Sequence, residues 1–378
     1  MSDNKKDAPA KRPLSHMLKL AGLAVLAVLA GILAFRVFLD AGDTEPPAKR
    51  QNEPILLTAL QEKALPAWGN KMARLLSDGL GEDLSQMHDY EAIAEITLEG
   101  TDGEEVRRDL NRLIRSAVTR KAGGFLASAT GYPARFLRVC TRAGFPAVTL
   151  RVHYGNQLVS YLDVLLQPAD DNFKIVDVYD YLTGARRTEN FRCTMAPFLI
   201  AKDSQIISKW LENWKMQKSD AEYIISLFKA RLRGLDEDAL TVCDQAPEHM
   251  RNNRLVFFTR CQALQHLTLS NARYERLYFE ALQSPPSMPD TQHVLELLLI
   301  PKLMAEADYQ TADDAMEKVM TVIGDDAYLM CRRAEIKFQL EDIAAAKALL
   351  KQAQRLEPTL PLLQELKQKR RFSNKNGC

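Results

Sequence analysis

Five residues on two neighbouring extended stretches have the types and spacing to do chemistry. Tyr161 and Asp163 alternate along one, and Asp177, Tyr179 and Tyr181 alternate along the next. Side chains two apart share a face of a strand, so all five are expected to look the same way. Where such a face lines a pocket, a carboxylate of raised pKa beside tyrosine hydroxyls serves as a general base. The competing reading is structural and has the better claim. Tyrosine suits strands, and an Asp there can hydrogen-bond backbone or a tyrosine.

Basic residues form the second group. Arg108, Arg112 and Arg115 fall at i, i+4 and i+7, with Arg135, Arg138 and Arg142 following. They suit an anion-binding patch, or a solvated face opposite an apolar stripe, which is where most helices carry charge. Arg332 and Arg333 are candidates for binding a partner. His16, His88, His153, His249, His266 and His293 are isolated, and no two of the six cysteines form a C-x-x-C. Neither metal nor cofactor is expected. Formal net charge of +1 with 26% charged residues gives no electrostatic pull towards nucleic acid.

The elements that must position these residues begin at the N-terminus. Lys5, Lys6, Lys11, Arg12 and Lys19 precede an apolar run, so residues 1–17 read as a cytoplasmic basic segment and 18–39 as a single-pass transmembrane anchor. The competing reading is a signal peptide cleaved after Ala30. Residues 40–54, with Pro46, Pro47 and Pro54, read as a linker. The expected location is a bacterial inner membrane with the bulk of the chain periplasmic.

Helical periodicity follows, clearest over 104–121, where Val106, Leu110, Leu113, Ile114, Ala117 and Val118 make one apolar face. Four extended runs come next, at 134–141, 146–153, 158–167 and 173–182, separated by short turns that imply antiparallel neighbours. Helices followed by a four-stranded sheet, packed on one of its faces, make an α+β arrangement. The element order and the closing stretch Phe173-Lys174-Ile175-Val176-Asp177-Val178-Tyr179-Asp180-Tyr181-Leu182-Thr183-Gly184 resemble the nuclear transport factor 2-like family. The resemblance covers residues 55–193 and implies a conical α+β domain.

Residues 202–370 are helical in period throughout. Ala334, Asp342, Ala346, Leu350, Ala353 and Pro358 resemble a tetratricopeptide repeat, and Asp308, Tyr309, Ala312 and Met316 echo it one period earlier. Arg333 and Lys337 depart from that pattern. Stacked helix pairs close one another's open apolar faces. A capping helix over 359–369 and a disordered tail over 371–378 are expected.

The expected function is non-catalytic: a membrane-anchored extracytoplasmic scaffold or adaptor whose repeats hold an unidentified protein or peptide. The alternative is an enzyme or small-ligand binder using a pocket in the α+β domain.

Overall fold

Thr58 opens the first helix in the computed structural model because its side chain accepts from the Gln61 N–H while Gln61 reciprocates to the Thr58 N–H. The structure describes residues 55–99, 107, 108, 111, 114, 123–154, 158–169, 172–192, 216–232, 236–268, 272–283 and 292–373. Helix α1 (Ala59–Ser77) is followed by α2 (Gly81–Gln86) and α3 (Tyr90–Thr97), the last capped by Asp89. A 3-10 turn (Gly124–Ala129) then leads into the sheet.

The sheet runs in sequence order through β1 (Ala134–Arg142), β2 (Phe145–Tyr154), β3 (Leu158–Ala169), β4 (Asn172–Asp180) and β5 (Ala185–Arg186), all antiparallel. One face, carrying Val148, Leu150, Val152, Leu162, Val164 and Val178, packs on Leu65, Trp68, Met72 and Leu76 of α1. The fit is tight at Gly69, where a Cβ would sit 2.4 Å from the Phe136 ring. Behind this layer His88 is locked as a neutral ring. Its Nδ1–H donates to the Leu84 carbonyl (2.8 Å) and its Nε2 accepts from the Phe125 N–H (3.2 Å). Burial holds it down at about 4, against an ordinary 6.5.

Helices make up the remainder: α4 (Ala221–Leu232), α5 (Asp236–Asp244), α6 (Arg254–Thr268), α7 (Ala272–Leu282), α8 (Gln292–Ala305), α9 (Tyr309–Ile323), α10 (Ala327–Gln339), α11 (Ile343–Leu356) and α12 (Pro361–Ser373). The turns into α9 and α11 repeat each other. Ala307 and Glu341 both take the left-handed conformation (φ 59° and 61°). Asp308 and Asp342, thirty-four residues apart, then cap the next helix through the N–H of Thr311 and Ala345.

The second face of the sheet is also covered. Tyr161, Leu165, Val176, Tyr179 and Tyr181 share a core with Ile300 of α8, Ala312, Met316 and Val319 of α9, and Leu329 and Ile336 of α10. Residues 146–152 of β2 are therefore buried without interruption.

These findings correct the expected fold class. The sheet has five strands, not four, because β5 is two residues long and too short to show a period in sequence. Helices cover both of its faces. Among the described residues no helix is long and apolar enough to cross a membrane. The basic segment 1–17, the run 18–39 read as an anchor and the linker 40–54 all lie outside the described residues. Helix α12 reaches Ser373, so the segment expected to be a disordered tail begins helical.

Gly69→Ala tests the helix–sheet contact. Alanine favours a helix by about 1 kcal/mol over glycine, yet collision with Phe136 should reverse the sign and destabilise by about 1–3 kcal/mol in urea denaturation. Adding Phe136→Leu should recover part of the loss.

Candidate functional site

All five residues expected to line a pocket are buried. Alternation along β3 turns Tyr161 and Asp163 to the face opposite the α1 core, and the register sets Asp163 against Tyr179 and Leu165 against Asp177. A bulge between Leu165 and Leu166 brings Val176 to that face as well. The face is an interior joint with α8, α9 and α10, and it carries two polar networks.

The first network centres on Asp163. Its Oδ2 accepts from Arg142 Nε (2.5 Å) and the Tyr181 hydroxyl (3.0 Å), and its Oδ1 from the Thr149 hydroxyl (2.7 Å). The Arg142 guanidinium lies 3.9 Å above the Tyr179 ring and donates to the Tyr181 hydroxyl. The Tyr179 hydroxyl is 3.1 Å from His293 Nε2, on the first turn of α8. Burial, then the Arg142 charge, lowers His293 to about 4, and burial raises Tyr179 to about 12 and Tyr181 further. At neutral pH the tyrosines are protonated, the imidazole is neutral and Asp163 accepts three hydrogen bonds. Two of these bonds fall on Oδ2 and one on Oδ1, so donors hold the group at both oxygens.

The second network joins β2 to the helical hairpins. Arg151, 1% exposed, pairs through one nitrogen with Asp326 and through the other with Glu357 (2.5 Å). The Tyr161 hydroxyl donates to the second Asp326 oxygen (2.7 Å). Asp326 is the N-cap residue of α10 and makes no capping bond, since both of its oxygens face the sheet. Arg138 donates to the Val322 carbonyl in the last turn of α9, and Arg135 to the Leu356 carbonyl at the end of α11 (2.5 Å). Arginine at a helix C-terminus satisfies an orphan carbonyl and complements the dipole.

Asp177 stands apart from both networks. It accepts from the Thr188 hydroxyl (2.5 Å), the Thr188 N–H and the Val178 N–H. Burial raises it to about 6. Arg333 makes a two-pronged bond to buried Asp313 across α9 and α10, where Lys337 joins it at 2.9 Å. Arg332 is more exposed, paired with Glu335 and stacked against Tyr328. Arg112 and Arg115 lie outside the described residues. Arg138 and Arg142 turn into the joint, where they bond the Val322 carbonyl and Asp163, while Arg135, its side chain 42% exposed, lies at the rim.

Sequence reasoning missed Arg151, Asp326, Glu357, Thr149 and His293. One signal was available for Arg151: an arginine between Leu150 and Val152 in a strand needs a buried partner. Nothing in the sequence names that partner. Among the described residues no His, Cys, Asp and Glu grouping has metal-binding geometry, and Cys140, Cys243, Cys261 and Cys331 form no disulfide.

The Arg151 network can be tested by substitution. Arg151→Ala should strand two acids and cost about 3–5 kcal/mol, whereas Arg151→Met with Asp326→Asn and Glu357→Gln should recover most of it, read from urea midpoints. A second test concerns pH. His88 titrates lower folded than unfolded, so its contribution is complete above 6.5 and lost as pH falls to about 4. Asp177 titrates higher folded, so its contribution is complete below 3.8 and lost as pH rises through about 6. Each is worth about 3 kcal/mol and their slopes oppose. Asp177→Asn should unmask the histidine slope, giving a variant whose stability climbs more steeply than wild type between pH 4 and 6.5. Equal slopes in denaturant titrations across that window would contradict the assignment.

No family model matches this chain, and neither a curated protein nor a solved structure matches it.

Proposed function

We propose that this protein is a non-catalytic adaptor. In this reading the α+β region and the helical hairpins form one rigid body, and the outer surface of hairpins of tetratricopeptide type holds another protein or peptide. The observation that carries it is the use made of the second sheet face. Tyr161, Asp163, Tyr179 and Tyr181, the residues a ligand pocket would need, are buried against α8, α9 and α10. Their polar atoms bond one another, Arg142, Asp326 and His293. A helical array braced in this way keeps a fixed shape, and a pre-formed surface loses less entropy when it binds.

Arg332 and Arg333 differ as contact candidates. Arg333 bridges α9 and α10, so reversing its charge would set an acid against buried Asp313 and leave it Lys337 alone. Arg332 has the more exposed side chain (41%) and serves as the probe. With the full chain tagged, capture from cells should recover a protein whose cross-links fall on exposed residues of α8 to α12. Arg332→Glu should weaken recovery while leaving the fold intact by circular dichroism. Recovery of no protein partner, together with a small molecule that co-purifies with wild type and is lost in Tyr179→Phe, would overturn the reading.

A further inference from the structure

Helix α11 differs in charge from α8, α9 and α10, each of which carries both acids and bases. Elsewhere in the helical region several cations are matched by an acid on the same helix or the next: Arg276 with Glu280, Lys302 with Glu306, Arg332 with Glu335 and Lys318 with Glu296. Between Ile343 and Leu356 there are three cations and no acid. Lys347, Lys351 and Arg355 are all exposed and fall at i, i+4 and i+8, so they form one stripe about 12 Å long at ~1.5 Å per residue. Like charges at i, i+4 destabilise a helix, and α11 contains two such pairs in succession. The helix dipole favours only Arg355, which stands in the last turn.

The ground beside the stripe is shallow. Ala344 and Ala348 are exposed, the first before Lys347 and the second between Lys347 and Lys351, and Ile343, 45% exposed, stands one turn before Lys347. The opposite side of the helix, through Ala346, Leu350 and Ala353, is fixed in the core with α10 and α12. A surface of this kind lets a second helix approach closely, offers one apolar contact at its end, and then presents positive charge every ~6 Å.

We propose that the outer face of α11 is a docking surface for an acidic helix of a partner protein, one that carries an apolar residue followed by carboxylates at four-residue spacing. Complementarity of charge and period argues for this occupant, since the carboxylates of such a helix repeat at the same ~6 Å as the cations and relieve their mutual repulsion. The proposal rests on the adaptor reading and names the chemistry of its partner.

The test uses the full chain and fluorescein-labelled, alanine-based helical peptides. The first has a leucine followed by three glutamates four residues apart, the second the same composition with its glutamates adjacent, and the third lysines in place of the glutamates. Fluorescence anisotropy should show the spaced peptide binding, with the adjacent-glutamate peptide weaker by about tenfold, as expected for loss of most of three exposed ion pairs. Lys347→Glu, Lys351→Glu and Arg355→Glu together should abolish binding of the glutamate peptide and create binding of the lysine peptide. This exchange needs a folded variant and so controls for misfolding. Three results overturn the proposal: equal binding of both glutamate peptides, failure of the lysine peptide to bind the variant, and charge-dependent binding of phosphatidylglycerol vesicles with no peptide binding. Peptide failure alongside a native partner still captured by the triple variant would remove this surface and leave the adaptor reading in place.

Discussion

Arg151 is the constraint around which the two halves of this protein are arranged. A guanidinium that is 1% exposed is tolerated only with its charge balanced, because the desolvation cost is several kcal/mol; both terminal nitrogens of Arg151 are paired with acids, while its Nε has no hydrogen-bond partner. Asp326 and Glu357 supply that balance from the two termini of the α10–α11 hairpin, one just before α10 and one just after α11. Both helix ends must therefore meet β2 together. This fixes the angle at which the hairpins lie on the sheet.

The neighbouring arginines extend the same logic. Arg138 and Arg135 reach the carbonyls that close α9 and α11, the positions where a helix has acceptors without internal partners and a partial negative charge. Gly324, at φ 92°, allows the close passage of Arg138, whose Cδ would lie 3.0 Å from a Cβ there. The sheet meets the hairpins chiefly with cations and tyrosines, and the hairpins answer with carboxylates and carbonyls. Apolar contact through Tyr161, Met316 and Ile323 fills the spaces between.

A sheet covered on both faces also accounts for the polar residues of β2 and β3. Thr149, Arg151 and Asp163 alternate with apolar neighbours and have the look of a solvated face. They are buried, and each has a hydrogen-bond partner in the joint or the sheet. The tyrosines follow suit: Tyr161, Tyr179 and Tyr181 contribute apolar area to a core while their hydroxyls complete polar networks, a dual use suited to such an interface.

What the sequence determined by itself is what short-range geometry controls. The long strands were legible from runs of extended residues between turn signals, and the helices from apolar periodicity. The Asp308 and Asp342 turns were legible because an N-cap acts within three residues. The shared face of Tyr161, Asp163, Tyr179 and Tyr181 was legible too, since alternation along a strand is local. Only the tertiary structure decided what that face touches. Arg151 meets Asp326 across 175 residues and Glu357 across 206, and His293 reaches Tyr179 across 114. No periodicity encodes pairings of that range. They follow from which apolar surfaces bury one another, and the same packing made an apparent pocket into an interior.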